Sequence, residues 1–168
     1  MNTMDTLLMH QSVRVGEALL SAGRVLATAE SCTGGWIAKL VTDVPGSSEW
    51  FDRGFITYSN AAKCDMLGVS EASLRAQGAV SEPVVREMAE GGLARSRADL
   101  CVAVSGIAGP GGGSAEKPVG LVWVAWAGLG RTEARRFVFE GTREKVRRQA
   151  VEAALDGVLE RLRVQGGG

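Results

Sequence analysis

The segment Gly46–Lys63, GSSEWFDRGFITYSNAAK, places two adjacent serines, the only tyrosine of the chain and a lysine within 18 residues. A serine hydroxyl attacks a carbonyl only once a base takes its proton. The single histidine, His10, lies far away in a helix of surface type. A lysine can replace it if its pKa is lowered. Lys63 follows Asn60, a candidate helix cap, and so falls in a first helical turn. There the positive end of the helix dipole and partial burial both disfavour the ammonium form. Tyr58 just before it can relay a proton or orient the serine. The same residues also fit a turn, a strand and the start of a helix with no chemistry at all, since Ser, Tyr and Lys at this spacing are common.

Other stretches have the composition of ligand-binding turns. In AESCTGG, Ala29–Gly35, a strand gives way to a helix, and Ser31 and Thr33 add hydroxyls beside Gly34. Free N–H groups at a helix start suit an anion or a carbonyl oxygen, although a capped glycine turn has the same appearance. GIAGPGGGS, Gly106–Ser114, also follows an apolar run; its glycines let backbone N–H groups approach a ligand. It lacks the Lys-Ser/Thr ending of a phosphate-binding P-loop and opens no helix, which disfavours a Walker-type site. Arg143, Lys145, Arg147 and Arg148 crowd the start of the last helix. They form either a solvated face or a phosphate contact through the arginine fork.

These stretches need elements to hold them. Apolar spacing predicts a helix over 6–22 and a strand over 24–30. A helix follows the Gly34-Gly35 turn and closes at Pro45-Gly46. RGFITYS, 53–59, reads as a second strand, followed by a short helix carrying Lys63, Met66 and Leu67. Ser81 is a candidate cap for a helix from Glu82 to about Arg97. DLCVAVSG, 99–106, is almost wholly apolar, as in a strand covered on both faces. VGLVWVAWAG, 119–128, gives another buried strand and RTEARRFVFEG, 131–141, an edge strand. A last helix runs from about Thr142 to Arg163, with residues 165–168 as a frayed tail. Early alternation of helix and strand, with two adjacent strands late, predicts one three-layer α/β/α domain over 1–168 with a mixed, mostly parallel sheet.

Composition narrows the partners. Nineteen basic residues balance nineteen acidic ones, which argues against broad binding to nucleic acid. No segment approaches a membrane span and no leader pattern opens the chain. Cys32, Cys64 and Cys101 are widely spaced, with no zinc pattern. They read as reduced thiols of a cytoplasmic protein. No metal or cofactor is expected.

Taken together, AESCTGGWIAKLVTDVPGSSEWFDRGFITYSNAAK, GAVSEPVVREMA and VSGIAGPGGGSAEKPVGLVWVAWA resemble the CinA C-terminal family, over about 16–154. The stand-alone members of that family are nicotinamide-nucleotide amidases. The resemblance implies hydrolysis of the carboxamide of nicotinamide mononucleotide (NMN) to nicotinic acid mononucleotide and ammonia, in pyridine nucleotide salvage, by a metal-free Ser-Lys mechanism. Carried over motif by motif, it makes Ser48 the nucleophile, Lys63 the base and Tyr58 the assisting hydroxyl. Ser31, Thr33, Gly34, Ser105, Gly106, Ala108 and Arg143 become substrate-contacting positions, and the assembly a homodimer. Longer CinA proteins carry an additional N-terminal domain with no counterpart in these residues. The alternative reading is a pyridine-nucleotide-binding module that releases no ammonia.

Overall fold

The computed structural model describes residues 2–167. The chain runs α1 (Thr3–Ala22), β1 (Leu26–Glu30), α2 (Trp36–Thr42), a 3-10 turn (Ser47–Glu49), β2 (Phe51–Ile56), α3 (Asn60–Leu67), α4 (Glu71–Gln77), α5 (Glu82–Ala94), β3 (Leu100–Gly106), β4 (Leu121–Gly128), β5 (Arg131–Val138) and α6 (Arg143–Gly166). The five strands form one sheet in the order β2-β1-β3-β4-β5. β2, β1 and β3 pair in parallel, and β4 runs antiparallel to both β3 and β5. β4 alone therefore opposes the common strand direction, and the sheet is mixed and mostly parallel.

Period-2 alternation divides the sheet into two unlike faces. Leu26, Leu100, Val102, Val104, Val122, Val124 and Trp126 point to one face, where they pack with buried residues of α1, α2 and α6. Ala27, Ala29, Cys101, Ala103, Ala125 and Ala127 point to the other, against Val84, Val85, Met88 and Ala89 of α5. Such a small-residue face lets α5 sit close to the sheet. Gly91 extends the close approach: a Cβ there would fall inside the van der Waals sphere of the Leu67 carbonyl oxygen. Leu67 is the last residue of α3, so Gly91 sets how deeply α3 docks on α5.

Several elements differ from the sequence expectation. β2 occupies 51–56 rather than 53–59, because its partner β1 ends at Glu30, opposite Ile56. α3 is capped by Ser59, whose Oγ accepts from the Ala62 N–H, and Asn60 is its first helical residue. Ser81 precedes α5 but donates its hydroxyl to the Gly78 carbonyl (2.8 Å) instead of capping the helix. α4 was not expected. Residues 165 and 166 continue α6 rather than fraying, with the Gln165 amide donating to the Leu129 carbonyl; residue 168 lies outside the described residues. Among the described residues no helix is long and apolar enough to cross a membrane.

Candidate active site

Parallel strands end side by side, and that places the site. Glu30 closes β1 directly opposite Ile56, which closes β2. The following residues, Ser31 and Thr57, are thus neighbours, and Val104-Ser105 of β3 flanks Glu30-Ser31 on the other side. The Ser31 N–H donates to the Val104 carbonyl (3.0 Å), prolonging the ladder by one rung. This is the carboxyl edge of an open α/β sheet, where ligands bind.

Lys63 reaches back over that edge from the first turns of α3. It is only 1% exposed. Its Nζ lies 3.0 Å from Ser31 Oγ, 2.9 Å from the Thr57 carbonyl oxygen and 3.3 Å from the Tyr58 carbonyl oxygen. Burial pushes the amine below the ordinary lysine value of 10.5, while the thiols of Cys32 and Cys64 pull it back up. A neutral amine has two hydrogens and one lone pair. Two of its three neighbours are carbonyl oxygens, which only accept. In that form the two hydrogens can serve Thr57 and Tyr58 and leave the lone pair for the Ser31 hydroxyl, whereas an ammonium donates to all three. The neutral form gives the arrangement of a base and its nucleophile.

Ser31 is held from the other side of the sheet. Glu30 is wholly buried. Its Oε1 accepts from Thr33 Oγ1 (2.7 Å) and the Ile37 N–H (2.9 Å), and its Oε2 from the Ala38 N–H (3.1 Å). The carboxylate caps α2 from within and ties the 31–35 turn to that helix. The turn needs glycine twice, at Gly34 (φ 59°) and Gly35 (φ 97°). Arg147 clamps it from α6, donating to the carbonyls of Cys32 (3.0 Å) and Thr33 (3.2 Å).

A cavity of about 240 Å³ opens over the pair, lined by Ser31, Cys32, Tyr58, Asn60, Lys63, Ala79, Val80, Ser105, Gly106, Ala108 and Arg143. Ser105 Oγ donates to the Ala79 carbonyl (2.8 Å), joining the β3 end to the loop before α5. Arg143 donates to the Gly109 carbonyl and to Tyr58 Oη, both at 3.0 Å. Burial pushes the Cys32 thiol up to about 11 despite the nearby Arg147, which disfavours the thiolate. A cavity of the same volume lies along the α1–α6 seam and holds His10 with Gln11, Arg14, Glu152 and Asp156. It contains no serine or cysteine.

The structure thus gathers Lys63, Tyr58, Ser31, Ser105, Gly106, Ala108 and Arg143. It does not bring Ser48 to them, which corrects the nucleophile carried over from the motif. Ser48 sits in the exposed 3-10 turn before β2, whereas Lys63 lies beyond the end of that strand. Six strand residues at roughly 3.3 Å each separate the two by about 20 Å. Thr33 and Gly34 do not line the cavity but a separate depression, together with Gly35, Trp36, Lys39 and Arg147. Thr33 spends its hydroxyl on Glu30. Tyr58 meets Lys63 through its carbonyl, while its phenol, on a side chain largely in solvent (61% exposed), meets Arg143 at the mouth. Among the arginines of α6, Arg143 lines the cavity; Arg148 is paired with Asp5 (2.8 Å) and Glu144 (3.3 Å). Sequence reasoning missed Glu30, Thr57 and the wall residues Ala79 and Val80. Only Glu30 left a signal, a carboxylate at the end of a wholly buried strand.

The fold and this edge define an open-sheet α/β/α domain with a buried serine–lysine pair. The CinA C-terminal domain matches residues 9–162, and the chain belongs to that family. The nicotinamide-nucleotide amidohydrolase PncC of Escherichia coli (strain K12) is 59% identical over 152 residues, 90% of this chain and 92% of that protein. PncC of Pseudomonas putida is 54% identical over 149 residues, 89% and 93% respectively. The crystal structure of the competence/damage inducible protein CihA from Agrobacterium tumefaciens superposes with a TM-score of 0.89 at 46% identity, covering 93% of this chain and 95% of that one.

Proposed function

We propose that this chain is an amidohydrolase that converts NMN and water to nicotinic acid mononucleotide and ammonia, with Ser31 as nucleophile and Lys63 as general base. The observation that carries the assignment is the 3.0 Å contact between Ser31 Oγ and a buried Lys63 Nζ whose hydrogens are directed at two carbonyls. The similarity to PncC proteins along nearly their whole length supports the substrate.

In the first half-reaction Ser31 Oγ attacks the carboxamide carbon and its proton passes to Lys63 Nζ. The carbonyl oxygen becomes an oxyanion beside the Cys32 N–H, since the Ser31 and Gly34 N–H groups of the same turn are already engaged. The C–N bond then breaks. Lys63 returns the proton to the leaving nitrogen, ammonia departs, and an ester to Ser31 remains. In the second half, water attacks the ester, Lys63 takes its proton, and the acid leaves as Ser31 regains a hydrogen. Lysine is neutral at the start of each half, which is the form its burial favours. The Tyr58 phenol and Arg143 serve the mouth of the site, toward the ribose phosphate, rather than the proton path.

Ammonia release from purified protein given NMN tests this reading. Turnover is expected, with Ser31→Ala inactive but still binding the nucleotide. Added hydroxylamine should divert the ester to a hydroxamate. A protein that binds NMN and releases no ammonia is the binding module instead.

A further inference from the structure

The cations near the cavity differ in what they touch. Arg148 is neutralised by Asp5 and Glu144, and Arg147 is turned inward onto the 31–35 turn. Two others rest only on neutral acceptors among the described residues. One is Arg143, on Gly109 and Tyr58. The other is Lys117, whose amine donates to the Gln77 carbonyl at the end of α4.

Lys117 is presented by a built turn. The Ser114 N–H donates to the Lys117 carbonyl (2.8 Å), and the Lys117 N–H donates to Ser114 Oγ (3.0 Å). The backbone is thereby fixed while a flexible four-carbon stem carries the charge. The amine lies 3.1 Å from where a Cβ on Gly78 would stand. The next two residues, Ala79 and Val80, form a wall of the cavity. Arg143 lines the same cavity and is held there by Gly109 and Tyr58. No ion pair joins Lys117 to its neighbour Glu116 among the described residues.

We propose that Lys117 is a specificity-determining residue that, with Arg143, clamps the phosphate monoester of the substrate at the mouth of the cavity. The proposal rests on the nucleotide reading above and assigns the part of the substrate that the reacting pair does not touch. On binding, the ammonium exchanges the neutral Gln77 oxygen for an anionic one, a stronger acceptor. Arg143 also holds Gly109, in the same 107–120 connection that carries Lys117.

The test compares kcat/KM on NMN and on nicotinamide riboside for the parent, Lys117→Met and Lys117→Arg. Lys117→Met should lower the efficiency on NMN by about tenfold or more, mainly through KM, the effect of one lost charge-assisted bond. The ratio of NMN to riboside efficiency should fall equally, and Lys117→Arg should restore most of it. An equal loss on both substrates would mean that Lys117 only tethers the loop, and an unchanged ratio would likewise overturn the clamp. Titration with inorganic phosphate needs no turnover. The parent should bind it, and Lys117→Met about tenfold more weakly. No binding by the parent, or equal binding by both, refutes the clamp. Weakened binding without ammonia release by the parent refutes the amidohydrolase reading alone.

Discussion

The two ends of β2 carry similar side chains in opposite environments. Before the strand, Ser47 and Ser48 sit in an exposed turn. Beyond it, Thr57 and Tyr58 give their carbonyls to a lysine that is 1% exposed and that faces Ser31. Ser48 is closer to Lys63 along the chain, yet Ser31, 32 positions away, touches it. Nearness in sequence counts for little across a strand, whereas the carboxyl ends of parallel neighbours are brought together by their register. The hydroxyl that meets the lysine is therefore contributed by the end of the adjacent strand.

Exchanging the roles of the two ends by mutation should fail, and the largest effect is expected at Ser31. Ser31→Ala should cut kcat by at least about 10³-fold, with NMN affinity retained in equilibrium binding. Lys63→Arg keeps a charge that cannot be removed in a protein, so kcat should fall by at least about 10²-fold. The double variant should be scarcely worse than Ser31→Ala, because the two act as one unit. Near-normal turnover in either single variant would break the comparison.

The pH dependence sharpens it. The proposed mechanism requires neutral Lys63, so kcat/KM should fall about tenfold per pH unit below the lowered pKa of the free enzyme. Folding is linked to the same group. Between that lowered pKa and 10.5 the unfolded chain binds the proton that the folded chain does not. Stability at this site therefore rises with pH through that window and is lost as pH falls through the folded pKa. Thermal melts of Lys63→Met should lack this rise.

At the mouth the effects shrink. Arg143→Met should raise KM for NMN about tenfold with kcat little changed, for loss of a charge-assisted contact. Tyr58→Phe removes one hydrogen bond to Arg143 and should cost about fivefold in kcat/KM, since a net bond is worth roughly 1 kcal/mol. A loss at Tyr58 as large as that at Lys63 would restore the phenol to the proton path. The smallest effect belongs to the far end. Ser48→Ala should change kcat/KM by less than about twofold and stability by at most about 0.5 kcal/mol, as at other exposed positions. A greater loss there than at Ser31 would reverse the assignment.

Much of this arrangement was legible in the residues. The apolar runs of β3 and β4 announced buried strands, and the glycine pair at 34–35 announced the turn that presents Ser31. The lowering of the lysine follows from its burial, one of the two causes the sequence suggested. The Ser31–Lys63 contact was not legible, because it depends on which strands pair and where they stop. α4 escaped because none of its residues is buried, so it prints no apolar stripe on the sequence. Glu30 was read as a strand end, since an internal cap on a helix that starts six residues later requires the turn to fold first.

The close seating of α3 on α5 has a consequence for how this protein can change. Lys63 rides on a helix whose depth is set at its other end, where the Leu67 carbonyl meets the bare Cα of Gly91. Any side chain at position 91 would act as a shim, tilting α3 outward and lifting the amine away from Ser31. In a library randomised at this position, folded but inactive clones should outnumber active ones, although the position lies on a different helix from every reacting atom. Drift on the exposed outer faces stays free, while here one missing methyl group keeps the calibration of the base.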